Sequence, residues 1–129
     1  MGRVGRCDGH EREPLVMDAD LRDSLKTVHA YAATPFAADD VLSVDEEGFA
    51  GNLDFLVQAG VRVINVGGGT GEIDALTNRE LARIAEVALA TGGDRALITP
   101  TLPGNTGAAV ELARRYRDMG VRVCLAMAP

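Results

Sequence analysis

Apolar residues along this chain fall into two alternating rhythms. Short continuous runs alternate with longer stretches in which they recur every three or four positions. The first rhythm marks buried strands and the second amphipathic helices. Residues 28–33 form the first run, ended by Thr34-Pro35-Phe36. Ser43-Val44-Asp45-Glu46 reads as a capping box, opening a helix with Phe49, Leu53, Leu56 and Val57 along one side. Gly60 ends that helix by taking a positive φ. Residues 61–66 read as the second strand and 67–76 as a loop. Thr77-Asn78-Arg79-Glu80 is a second capping box, whose helix presents Leu81, Ile84, Ala85 and Ala88 and is released at Gly92-Gly93. Residues 96–99 form a third strand stopped by Pro100, and 101–105 a turn-rich loop. Asn105 or Thr106 caps a third helix carrying Ala109, Leu112, Ala113 and Tyr116, which closes at Gly120. Residues 121–128 form the fourth strand. A short helix around 19–26 precedes all of this, and residues 1–18 read as a disordered stretch or an upstream extension.

Repeated β-α units imply parallel strands joined by right-handed crossovers. The expected class is therefore α/β, with two ways of closing. One is an open doubly wound sheet. The other is a partial (β/α)8 barrel, its first four strands and three intervening helices, from a fold that needs roughly 250 residues. The chain stops at Pro129 directly after an apolar strand, which favours the barrel and a truncated domain spanning 19–129. Bare edges on the first and fourth strands predict association or poor solubility. Gly60-Val61-Arg62-Val63 recurs as Gly120-Val121-Arg122-Val123, each placing an arginine where it can reach the bottom rim.

Charge and cysteine usage narrow the classes. A net charge of −6 and a pI near 4.8 leave no nucleic-acid footprint. Arg114, Arg115 and Arg117 are read as a solvated helix face. Cys7 and Cys124 give no disulfide framework, and Cys124, within an apolar run, is expected to be a buried thiol. His10 and His29 are isolated, so no metal site is expected, and nothing calls for a cofactor. No signal peptide or membrane-spanning run is visible, so the cytoplasm is the expected compartment.

Candidate chemistry concentrates in Gly60-Val-Arg-Val-Ile-Asn-Val-Gly67-Gly-Gly-Thr-Gly71-Glu72. A strand here breaks into a glycine-rich turn at its C-terminal end, where α/β proteins keep their ligands. The turn lacks the lysine of a Walker A loop and the spacing of a dinucleotide fingerprint. Close-packed amides at Gly68, Gly69, Thr70 and Gly71 suit a small anion such as a carboxylate, and the Thr70 hydroxyl can donate or pass a proton. The same glycines would also serve a tight turn with no ligand. Thr34 either lines the mouth of the site or satisfies a strand end. Glu72 either fixes the loop or is a surface acid, and Asn65 makes a polar contact inside the sheet or barrel, or only a hydrogen bond to a neighbouring loop. Asp39, Asp40 and Asp45 read as loop and cap acids.

The run of Thr34-Pro35-Phe36, the helix ending at Gly60, Gly68-Gly69-Thr70-Gly71-Glu72 with Leu76-Thr77 and Glu80 downstream, and a fourth strand leading to Pro129 resembles the N-terminal half of the dihydrodipicolinate synthase/N-acetylneuraminate lyase family. The resemblance covers roughly 21–129. It implies a Schiff-base aldolase barrel acting on a 2-keto acid, usually pyruvate, held on a sixth-strand lysine with a fifth-strand tyrosine in proton transfer. It implies that Gly69 and Thr70 face the keto-acid carboxylate, that Thr70 joins the hydroxyl relay, and that the complete protein is a homo-oligomer. Lys26, the only lysine, precedes the first strand, so the chain alone is expected to be inactive. Gly69 stands where a hydroxyl residue is usual, which makes a keto-deoxy-sugar-acid dehydratase an alternative within the family. A non-catalytic small-anion-binding fragment is a further alternative.

Overall fold

The chain, described by a computed structural model over residues 19–129, places its four strands side by side in the order in which they occur. The expectation for residues 1–18, with Cys7 and His10, lies outside the described residues. Helix α1 (Ala19–Ser24) leads into β1 (His29–Tyr31), α2 (Glu46–Gln58) and β2 (Val63–Val66). A 3-10 turn (Ile73–Ala75) then precedes α3 (Asn78–Gly92), β3 (Leu97–Leu102), α4 (Thr106–Asp118) and β4 (Leu125–Ala126). Every pairing is parallel, with Tyr31 beside Asn65, Asn65 beside Thr99, and Thr101 beside Leu125.

Strand parity divides the sheet into two faces. Ala32, Ile64, Val66 and Ile98 join Phe49, Leu53, Leu81, Ile84, Leu112 and Tyr116 of the helices in one apolar core. The alternate residues Tyr31, Asn65, Thr99, Thr101 and Leu125 therefore face the other, concave side. Helices on one face and an unreversed strand order are the marks of a barrel wall, since a doubly wound sheet reverses its order and carries helices on both faces. The architecture is four parallel strands of a curled half-barrel. Complete burial of Phe49 and Leu53 contributes about 1.5–3 kcal/mol for each side chain.

Local chemistry sets the ends of the helices. The Thr77–Glu80 capping box forms in full, with Thr77 Oγ1 accepting from the Glu80 amide and Glu80 accepting from the Thr77 amide. The first helix of the repeat departs from the expected cap. Asp45 is its N-cap, accepting from the Gly48 amide at 2.9 Å, while Ser43 Oγ donates to Asp40 Oδ2 at 2.6 Å. Ser43 is spent on the preceding turn, and the carboxylate two residues later is the stronger acceptor for helix amides. Arg83 then ties α3 to α2 through both oxygens of Glu46. Gly60 and Gly120 take φ values of 87° and 84° after α2 and α4, and Arg62 and Arg122 beyond them line the bottom rim.

Three further expectations are corrected. Pro100 lies inside β3, paired with Val66, rather than ending it. Leu97 donates to the Arg62 carbonyl just before β2, so by alternation the ring nitrogen of Pro100 faces β4, whose pairing begins only at Thr101. No ladder bond is lost there. The fourth strand is confined to Leu125–Ala126, the part beside β3's last residues. Cys124, just before β4 at the edge of the sheet, is exposed rather than buried.

The fold makes two predictions. Asp45→Ala and Thr77→Ala should each lower urea-unfolding stability by about 1 kcal/mol, with Ser43→Ala within about 0.5 kcal/mol of the parent. An equal loss for Ser43→Ala would restore Ser43 as the cap. The second concerns Tyr116, which is buried and donates to Thr101 O at 3.1 Å. Burial raises its phenol well above the ordinary value of 10.0. Above that pH the unfolded chain ionises while the native state keeps its proton. The contribution is complete below the unfolded-state value and is lost as pH rises toward the folded-state one. Stability should fall above about pH 10, and Tyr116→Phe should flatten that limb in urea titrations. An unchanged slope would contradict the assignment.

Candidate functional site

The glycine loop sits at the C-terminal end of β2 and is held by its carbonyls. Gly68 O accepts from the Ile73 amide at 3.1 Å and Gly69 O from the Glu72 amide at 3.2 Å. Gly71 O accepts from Thr34 Oγ1 at 2.8 Å, a buried bond reaching across from the segment that follows β1. These bonds turn the carbonyls toward the protein. Among the described residues, no hydrogen bond uses the amides of Gly69, Thr70 or Gly71. A run of N–H groups left over in this way is an anion-binding concavity.

The four glycines have separate reasons. Gly67 needs its φ of 66°, and a Cβ there would lie 2.7 Å from Leu81 Cδ2. Gly71 folds back so closely that a Cβ would lie 2.8 Å from the Gly67 nitrogen. Gly68 is in snug contact, its Cβ position 3.3 Å from Thr101 Oγ1, 3.9 Å from Tyr31 Cδ1 and 4.0 Å from Leu125 Cδ2. A Cβ at Gly69 would meet nothing within 4 Å among the described residues. Two glycines are therefore demanded by the backbone, whereas Gly69 leaves open space beside the free amides.

Of the other residues singled out, Thr70 is exposed at the turn, its side chain without a bond among the described residues. Glu72 occupies the left-handed region at φ 62°. It is exposed, and its backbone rather than its carboxylate shapes the loop exit. Asn65 is only 3% exposed and reaches sideways within the sheet, its Oδ1 accepting from Thr99 Oγ1. Its Nδ2 is the one buried side-chain polar atom without a partner among the described residues, an omission that costs about 1–3 kcal/mol unless something accepts from it. Thr34 and the loop come together directly; Asn65 lies one layer below.

The concave wall under the loop holds residues that sequence reading missed. Thr101 Oγ1 donates to Val66 O at 3.0 Å, and the Thr101 hydroxyl and the Tyr31 ring both border Gly68. Thr99 completes the row with Asn65 and Tyr31. The signal was the two-residue alternation of Thr99 and Thr101 within Leu97–Leu102, masked by reading Pro100 as a strand end. Among the described residues no three histidine, cysteine or acidic side chains gather as a metal site. A hollow of about 480 Å³ at the bottom rim, lined by Arg62, Arg95 and Arg122, and a groove of about 830 Å³ beside Glu46 and Arg83 both lie away from the loop. No helix among the described residues is long and apolar enough to cross a membrane.

Comparison with known proteins gives this geometry its context. The model of the Dihydrodipicolinate synthetase family matches residues 24–129. An uncharacterized DapA-like lyase of Pyrobaculum neutrophilum is 39% identical over 97 residues, 74% of this chain and 31% of that protein. A 4-hydroxy-tetrahydrodipicolinate synthase of Methanopyrus kandleri is 32% identical over 97 residues, 74% of this chain and 32% of its own. The crystal structure of dihydrodipicolinate synthase from Bacillus clausii superposes with a TM-score of 0.78 at 26% identity, covering 82% of this chain and 36% of that one. N-acetylneuraminate lyase from Fusobacterium nucleatum shares the fold, with a TM-score of 0.73 at 24% identity over 82% of this chain and 36% of its own. The chain thus spans about a third of the length of the relatives it matches. On the extent of the family match and the half-barrel that carries the glycine loop, the chain belongs to the dihydrodipicolinate synthetase family.

Proposed function

We propose that residues 19–129 form the carboxylate-binding half of a Schiff-base lyase or aldolase acting on a pyruvate-type 2-keto acid. The observation that carries this reading is the set of unbonded amides at Gly69, Thr70 and Gly71, with the Thr70 hydroxyl beside them. These donors would hold the acid's carboxylate and keep its charge oriented. Thr70 would relay a proton, and Thr34, by latching Gly71, would fix the cradle. Support also comes from a family relative, the YagE prophage protein of E. coli K12, whose structure is a complex with pyruvate. Imine formation on a lysine would give the keto acid its electron sink. Lys26, next to α1 and paired with Asp23 at 2.8 Å, is not at this site, so the chain by itself would bind without forming an adduct. The complete protein would be a homo-oligomer.

The open space at Gly69 favours a second reading, a keto-deoxy-sugar-acid dehydratase of the same family. With no side chain there, the cradle leaves room for a more substituted acid and supplies one hydroxyl fewer.

Titration of the 15N-labelled chain with pyruvate should shift the Gly69, Thr70 and Gly71 amides together, and borohydride should trap no covalent adduct by intact mass. Amides that stay still, or a trapped adduct on Lys26, would contradict the reading. Gly69→Ser should stay within about 0.5 kcal/mol of the parent stability and retain pyruvate binding. Gly71→Ala should cost about 1–3 kcal/mol through the forced backbone contact and abolish the amide shifts. If the two variants behave alike, the division of roles among the glycines is wrong.

A further inference from the structure

The concave face carries a large aromatic side chain that the helix-side core does not use. Tyr31, at the end of β1, is in register with Asn65 and through it with Thr99. Strand parity turns it away from the helices, since its neighbour Ala32 packs in the helix-side core. Its ring edge lies 3.9 Å from the Cβ position of Gly68. The residue remains 49% exposed, and its hydroxyl has no hydrogen bond among the described residues. The chain's other tyrosine, Tyr116, is on the opposite side of the sheet, with its hydroxyl bonded to Thr101 O. Of two phenols, one is fully committed to the core and the other stands unbonded against the glycine loop.

We propose that Tyr31 is a substrate-contact residue of the keto-acid site. Its ring walls the concave side of the cradle, and its hydroxyl donates to an oxygen of the bound 2-keto acid. An aromatic side chain half-exposed on a polar concave face is costly to leave in water and is suited to sites with one apolar and one wet side. The row it belongs to already has an unmet hydrogen-bonding need, since the buried Asn65 Nδ2 has no partner. Gly69 offers no side-chain hydroxyl to the cradle, and among the described residues nothing lies within 4 Å of where its Cβ would be. A phenol from β1 supplies a donor to that space from the adjoining wall. The inference rests on the keto-acid reading and deepens it, because a phenol so close to the cradle limits what can extend from the bound acid toward β1.

The chain's two tyrosines make the test direct. With 13C-labelled tyrosine rings and 15N-labelled amides, pyruvate is titrated into the full chain. The Tyr31 ring signals should move with the same saturation curve as the Gly69–Gly71 amides, with Tyr116 stationary. Tyr31→Phe should keep the parent melting temperature while weakening pyruvate binding by about three- to tenfold, the effect of one lost hydrogen bond. Amides that shift while the Tyr31 ring does not, or undiminished binding by Tyr31→Phe, would overturn the role of Tyr31 and leave the keto-acid site standing. Amides that do not respond to pyruvate would overturn both.

Discussion

Everything distinctive about this half-barrel depends on how closely the chain approaches itself at Gly71. The backbone there passes so near Gly67 that no side chain fits between them. That approach lets the Thr34 hydroxyl reach Gly71 O from the segment that follows β1. It also lets the Ile73 and Glu72 amides close on Gly68 and Gly69. With the carbonyls tied back, the amides of Gly69, Thr70 and Gly71 have no partner among the described residues. The proposed anion-binding role of the loop rests on backbone satisfaction on one side and its absence on the other.

The supporting structure is arranged to keep that loop in place. β2 is buried on both faces and leads straight into Gly67. On the helix side Leu81 and Ile84 of α3 press against Gly67, and the Thr77 capping box starts α3 just after the loop ends. Arg83 bridges α3 to α2, and Tyr116 of α4 bonds to the carbonyl of Thr101, whose hydroxyl borders Gly68 on the concave side. The loop is thus braced by β1, α3 and β3, consistent with barrels that position chemistry at the C-terminal ends of rigid strands.

Much of this was legible in the sequence because it is written in local rules. Helix-ending glycines at 60 and 120, the Thr77 cap and the strand-to-glycine break all follow from single-residue conformational preferences, and all are found. What the sequence obscured was non-local or competitive. Ser43 and Asp45 both suit an N-cap, and only the preceding turn decides that Ser43 bonds to Asp40. Pro100 looks like a strand terminator until the neighbouring strand is seen to make no demand on its nitrogen. A strand ending at Pro100 leaves Thr101 out of the concave wall. In sequence Tyr31 is one more residue of an apolar run, since only the register shows which face it takes.

The central claim is that the loop is a carboxylate cradle lacking its nucleophile. A crystal structure of the chain soaked with pyruvate tests it most directly. The account predicts the acid with its carboxylate oxygens about 2.7–3.2 Å from the amides of Gly69, Thr70 and Gly71, and no bond from its keto carbon to Lys26. Pyruvate seated instead among Arg62, Arg95 and Arg122 at the bottom rim, with the glycine loop holding only water, would contradict it.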